Sequence, residues 1–164
     1  MEYATSHPMT FIKGNDNNKD WCYSQAATIR TSRWGTTKTI YDPCPQGWRV
    51  PDPDIWVTAA GSETFTGVYD ATNRSVTCDS FGTGVTYQIL SYWDENGVGY
   101  DDQTNGYYWG CGQLTGYPTA DSNHYPVLIA LGLHRSSTTA TTTTINTTEL
   151  IHASYGCSVR CQSE

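Results

Sequence analysis

"YPVLIALGLHRSSTTATTTTINTTELIHASYGCSVRC" (125–161) passes through three textures, and how they join decides what fold the chain can make. The opening nine residues are a continuous apolar run, the pattern of a strand covered on both faces. The end alternates. Tyr155, Cys157, Val159 and Cys161 fall on one side of an extended chain, and Ser154, Gly156, Ser158 and Arg160 on the other. Between them, Arg135 to Thr148 is a threonine run without apolar period. It could be a linker, a glycan-bearing stalk, an unpatterned strand or a tolerant surface. A linker would sit at a domain edge, and a stalk would not return to a core. The run is therefore expected to be a surface loop or hairpin held by a buried strand before it and a closing strand after it. Threonine favours extended backbone and its hydroxyl can bond outward.

The rest of the composition is that of a strand-and-loop protein. Aromatic residues reach 13%, with 6 Trp and 12 Tyr, while charged residues are only 15%, well below the usual quarter of a globular chain. So many aromatics can offset the entropy of ordering, which argues against disorder. At 164 residues the chain is expected to be one domain, 1–164, with a sizeable core. The net charge of −7 argues against nucleic acid or anionic lipid as a partner. No apolar run approaches the roughly 18 residues of a membrane span, so no membrane insertion is expected. The start, "MEYATSHPMTF", lacks the charged and apolar regions of an export signal, which suits a cytosolic protein or a mature form or fragment of an exported one. Cysteines 22, 44, 78, 111, 157 and 161 are even in number and form no C-x-x-C. That favours an oxidising compartment over a set of buried free thiols. If 154–161 is a strand, Cys157 and Cys161 lie about 13 Å apart along it, too far to bond each other.

Residues 1–37 are polar and turn-rich, an irregular entry segment with isolated Trp21 and Trp34. In "KTIYDPCPQGWRVPDP", Thr39-Ile40-Tyr41 and Trp48-Arg49-Val50 are expected as short strands, with turns at Asp42-Pro43 and Pro45-Gln46-Gly47. "PDPDIWVTAAG" carries the one convincing helix: Asp52 as N-cap, Pro53 at the first helical position and Gly61 as stop. Ile55, Trp56, Ala59 and Ala60 would form its buried stripe. From Gly67 onward, strands alternate with Gly/Asn/Asp turns: "VTYQILSYW", a "DENGVG" hairpin turn, then "GYYWGC".

Catalytic motifs are absent: there is no G-x-S-x-G, phosphate loop, H-E-x-x-H or dinucleotide fingerprint. The four histidines are scattered, and a Cys-His nucleophile or a zinc site from His152, Cys157 and Cys161 has unhelpful spacing. "WDENGVGYDDQTNG" offers Asp94, Glu95, Asn96, Asp101 and Asp102, oxygen ligands of the type calcium takes. Their order does not match an EF-hand loop, and a solvated hairpin turn explains them as well. No cofactor is expected. Binding fits better than catalysis, because Tyr107, Tyr108, Trp109, Tyr117, His124 and Tyr125 sit in or beside Gly- and polar-rich loops. Tyr and Trp give rigid contact area at low entropic cost, although Trp109 and Tyr125 would serve equally as core. The sequons at Asn73 and Asn146 indicate surface positions.

With "KTIYDPCPQGWRVP" (38–51) and "YGCSVRC" (155–161) in view, the chain resembles the lectin-like C-terminal domains of Bacteroidetes fimbrillin-family surface proteins and the related major paralogous domain of exported bacterial proteins. Their D-P-C-P-x-G-[WY]-R-V-P, helix Trp, Y-W pair and terminal V-R-C correspond to Asp42 to Pro51, Trp56, Tyr108-Trp109 and Val159-Arg160-Cys161. The entry segment "HPMTFIKG...DWC" also matches, so the likeness covers nearly the whole chain, with the first motif long and specific and the others short. The resemblance implies an α+β, C-type-lectin-like fold, with short helices on small twisted antiparallel sheets and paired terminal segments. It also implies a Cys44–Cys161 disulfide, which would close a loop worth roughly 3–5 kcal/mol. The triplets E-P-N, Q-P-D and W-N-D that hold calcium in sugar-binding animal lectins are missing, and "WDE" at 93–95 is no substitute. The fold further resembles variable proteins diversified by retroelements, for which 107–161 would be the variable, binding region.

The function so implied is non-enzymatic binding of a protein or glycan at the cell surface, on a pilus tip or a displayed phage or bacterial protein. The site would lie in the loops 107–114, 117–125 and 134–148, with Tyr107, Trp109, Gln113, Tyr117, Asp121, Asn123, His124, Tyr125, His134, Arg135, Thr142 and Asn146 as ligand contacts. The alternative is a domain that caps or joins pilin subunits without a separate ligand, and a carbohydrate-active enzyme is a distant third.

Overall fold

The computed structural model describes residues 34–111 and 127–164, together with Ser6. Strands β2 (Thr64–Asp70), β3 (Ser75–Thr77) and β4 (Thr86–Gln88) form one antiparallel meander. Strands β7 (Asn105–Trp109), β8 (Val127–His134) and β9 (Thr142–His152) form a second. Pairing of β9 with β2 joins them into one six-stranded sheet of order β4-β3-β2-β9-β8-β7. Two small sheets accompany it: β1 (Trp48–Arg49) with β10 (Gln162–Ser163), and the hairpin β5 (Tyr92–Trp93) with β6 (Gly99–Tyr100). With the helix α1 (Pro53–Ala60), the arrangement is a mostly antiparallel member of the α+β class.

The apolar run is the strand expected of it, since Val127 to Leu133 are all buried. The threonine run is not the loop expected of it. Only 135–141 turn, and from Thr142 the chain becomes β9, between β8 and β2 in the middle of the sheet. Thr143, Ile145 and Thr147 are fully buried, while Thr142 and Thr144 are exposed. The period of two was present, written in an amphipathic residue whose methyl packs inward as readily as its hydroxyl faces water. Thr147 satisfies its buried hydroxyl on the Glu63 carbonyl at 3.1 Å.

Several boundaries move. Residues 39–41 are not a strand, because Ile40 and Tyr41 form a turn and the Asp42 amide bonds back to the Thr39 carbonyl. Val50 leaves β1 to enter the core. "VTYQILSYW" breaks into β4 and β5 where Ile89 turns inward, its amide on the Arg74 carbonyl. Residues 153–154 turn, and 155–161 is not a ladder strand; among the described residues its backbone bridges are those at Gly156 and Ser158. Tyr155, Cys157, Val159 and Cys161 pack against the second cluster as expected, but Ser154 of the opposite set is buried too, at 1% exposed, so the alternation holds only in part.

Helix α1 has the expected limits, with Gly61 in the left-handed region at φ 66° as its C-cap. Asp52 occupies the N-cap position without a side-chain cap bond, because its carboxylate is engaged by Arg49 at 2.5 Å and by the Cys111 thiol at 3.1 Å. The buried stripe runs through Pro53 and Trp56. Ile55 and Ala59, expected to be inside, are exposed, and Ala60 is half-buried. The helix is short, so one large anchor decides its docking: Trp56 enters the core and its indole donates to the Tyr87 hydroxyl at 3.1 Å.

Two apolar clusters lie on opposite faces of the main sheet. The first, under α1, gathers Trp56, Tyr69, Val76, Tyr87, Tyr108, Leu131, Leu133 and Ile145. The second gathers Val50, Trp109, Cys111, Leu128, Ala130 and Ile151 beneath the terminal segments. Those segments are tied together by the Cys44–Cys161 disulfide, which spans 117 residues of chain, a closure worth about 4–5 kcal/mol in the chain-entropy account. The same corner is organised by Asp42, which accepts the amides of Cys44 (2.8 Å) and Val50 (3.0 Å), and by Lys38, which donates to the carbonyls of Cys44 and Trp48. Cys78, Cys111 and Cys157 are free thiols, so the even cysteine count does not mean full pairing.

The sheet curls until its two edges meet. The Tyr108 hydroxyl on β7 accepts the Gln88 amide on β4 and donates to the Gln88 carbonyl. Arg160 adds a bond to the Thr86 carbonyl at 2.6 Å and stacks over Tyr87. Gly106 eases this approach, since a Cβ there would sit 3.2 Å from the Ile89 Cα, tighter than ordinary van der Waals contact.

Candidate functional site

Among the described residues, one face of the main sheet is only half covered. The terminal segments and the second cluster take the end of β7, β8 and β9 around Trp109, Ala130 and Ile151. Beyond them, register sets residues of neighbouring strands side by side on the open part. One row is Tyr107, Gly132, Asn146 and Thr64, and the next is Asn105, His134, Thr144 and Thr66. Thr142 pairs with Val68 beyond these, and Thr64, Thr66, Val68, Thr142 and Thr144 are all exposed.

A polar chain crosses this face. His134 Nδ1 lies 2.9 Å from Asn105 Oδ1, and its Nε2 lies 3.3 Å from Glu149 Oε2. The Asn146 amide donates to the same Glu149 oxygen at 2.8 Å, and the Asn105 amide donates to Asp102 at 3.1 Å. His134, and secondarily Asn146, hold the Glu149 carboxyl below its ordinary value against the opposing effect of burial. Gly132 makes room, because a Cβ there would come within 2.7 Å of His134 Nε2.

Tyrosines border the chain. Tyr92 lies parallel to Tyr100 at 5.0 Å and to Tyr155 at 6.1 Å, and Tyr107 meets it edge-on at 4.8 Å. Burial pushes the Tyr107 and Tyr155 hydroxyls well above the usual phenol range, so they remain donors under all ordinary conditions.

Of the ligand contacts expected from sequence, Tyr107, His134, Thr142 and Asn146 come together on this face, from three neighbouring strands. Two others are placed elsewhere. Trp109 is 2% exposed and stacks edge-on with Trp34, so it is core and out of a ligand's reach. Arg135 is 6% exposed: its guanidinium lies 3.5 Å over the Tyr69 ring and donates to the carbonyls of Gln103, Thr138 and Ala140, which fixes the 135–141 turn. Gln113, Tyr117, Asp121, Asn123, His124 and Tyr125 lie outside the described residues. Asn105, Glu149 and Tyr92 belong to the face and were not anticipated, and Thr144 was anticipated only as part of the 134–148 segment. For Thr144 the signal is the alternation hidden in the threonine run, which puts Thr142, Thr144 and Asn146 on one side; Glu149 is out of that phase and arrives through the β8–β9 register shift.

Other chemistry finds little to work with. Among the described residues no three His, Cys, Asp or Glu side chains converge as a metal group. The zinc arrangement fails because Cys161 is consumed by the disulfide. In the acidic hairpin, Asp94 accepts the amides of Asn96 and Val98 and the Tyr100 hydroxyl, while Asp101 is paired with Arg74. Burial raises the Cys78 and Cys111 thiols to about 12, which removes them as nucleophiles near neutral pH. The open face is a hydrogen-bonding and aromatic surface, suited to contact. No family model, curated protein or solved structure matches the chain.

Proposed function

We propose that the protein is a non-catalytic binding domain displayed outside the cell, of the lectin-like kind its DPCPQGWRVP and VRC motifs resemble, holding a protein or glycan on the open face of its main sheet. The observation that carries this reading is the convergence of Tyr107, His134, Thr142 and Asn146 on one face that the described residues cover only in part, its other half sealed by disulfide-tied segments. Thr hydroxyls and the His-Asn-Glu chain supply orienting polar contacts, and the bordering tyrosines supply rigid area. The disulfide suits an oxidising location. No helix of the described residues is long and apolar enough to cross a membrane. A variable stretch at 107–161 would place changing side chains on this face through Tyr107, His134 and β9, while Val127 to Leu133 of β8 stay buried.

The test is capture on arrays of host-surface glycans, extracellular-matrix proteins and pilin subunits, with Thr144→Lys and Asn146→Ala compared with the parent chain. Loss of capture of a glycan or host protein at an unchanged unfolding midpoint supports the reading. Capture of pilin alone replaces it with a structural, pilin-capping role, and turnover of any arrayed glycan replaces it with an enzyme.

A further inference from the structure

We propose that the cleft at the seam of the curled sheet is a second binding site, for a neutral, hydroxyl-rich ligand of the disaccharide class. The cleft has a volume of about 790 Å³, within the range of small-molecule sites. Its walls come from both sides of the seam: Asp70, Asn73, Thr77 and Gln88 from β2, β4 and the chain between them, and Ser158 and Arg160 from the C-terminal tail. It shares no residue with the rows around His134.

The lining chooses the ligand. Small-molecule sites are mostly apolar with a few polar groups; here polar side chains outnumber apolar ones, and Leu90, Val159 and Tyr108 are the apolar and aromatic residues of the lining. Hydroxyls, two carboxamides, one carboxylate and one guanidinium offer both donors and acceptors, as a polyol requires. The charged pair, Asp70 and Arg160, sums to zero, so neither an anion nor a cation gains from the cleft as a whole. Both groups are held before a ligand arrives. Arg160 is fixed by the Thr86 carbonyl and the Tyr87 ring, and Asp70 by the amides of Thr72 and Asn73. Holding them lowers the entropic cost of binding. Leu90 is 41% exposed and gives the C–H face of a sugar ring a place to rest.

The experiment is a titration followed by amide proton–nitrogen correlation spectra, with lactose, cellobiose and chitobiose as neutral probes, sialyllactose as an anionic one and spermidine as a cationic one. At concentrations up to about 10 mM, in the affinity range of a small polar ligand, a neutral disaccharide is expected to shift the amides of Thr77, Gln88, Ser158 and Arg160. Gln88→Ala, an exposed change that spares the backbone bonds to Tyr108, should weaken that binding about fivefold through one lost hydrogen-bonding group. Thr144→Lys should leave it unchanged. The proposal is overturned if none of the three neutral probes shifts the seam amides, if only sialyllactose or spermidine does, or if the shifts fall on Thr144 and His134 alone. The last result would leave the open-face reading standing, and loss of that reading on arrays would leave the seam untouched.

Discussion

The Tyr108 hydroxyl bonds both backbone groups of Gln88, accepting the amide at 3.1 Å and donating to the carbonyl at 2.9 Å. One phenol thus stands in for a rung of ladder between the two edge strands of a six-stranded sheet. Tyr108→Phe keeps the ring in the first cluster and leaves two edge groups to water or to nothing. The expected cost is about 1–2 kcal/mol in urea unfolding, with faster amide exchange at Gln88. An unchanged exchange rate there would show that the seam is held by packing alone.

Thr143 and Thr147 face the same core from the same strand but differ in one respect. The Thr147 hydroxyl reaches the Glu63 carbonyl, whereas the buried Thr143 hydroxyl has no hydrogen-bond partner among the described residues. Valine has nearly the same shape. Thr143→Val should therefore stabilise the fold, by up to about 1 kcal/mol, and Thr147→Val should destabilise it by a similar amount. Equal effects of the same sign in a denaturant series would contradict the assignment of β9 as a central strand with this register.

These two threonines also show what was legible in the sequence. A continuous apolar run exposed β8, and proline and glycine placement exposed α1 almost to the residue, because a cap position and a left-handed stop are local demands. Register is not local. Nothing in "TTATTTTINTT" says that Thr144 will stand beside His134 and Thr66, because that depends on which strands β9 joins. The candidate site was half visible for the same reason. Tyr107, His134 and Asn146 could be named as polar or aromatic residues beside turns, but Glu149 became one of them only through a shift in the β8–β9 register near Ala130 and Gly132. Trp109 and Arg135 were misjudged because residue type does not tell a core indole or a turn-clamping guanidinium from a ligand contact.

Arg135 lends itself to a discriminating substitution. Its planar fork meets three carbonyls and one aromatic face, a geometry lysine cannot reproduce. Arg135→Lys is expected to lower stability by about 2 kcal/mol and to loosen 135–141, seen as proteolytic nicking in the turn. A contact residue would behave otherwise: the lysine variant would keep its unfolding midpoint and lose capture.

Glu149 links the open face to pH. Its carboxyl is held below the ordinary value of 4.5, chiefly by the His134 ring and also by the Asn146 amide. A carboxyl depressed in the folded state contributes stability that is fully present above its unfolded value. That contribution is lost as pH falls through the lower folded value. The parent chain should therefore lose stability on acidification below about pH 4.5, and Glu149→Gln should flatten that loss while costing some stability at neutral pH. The measurement is the urea midpoint across an acid series for the two chains. If the curves remain parallel down to the acid limit, the His134–Glu149 contact is not formed in solution, and the polar chain across β7, β8 and β9 is broken at its centre.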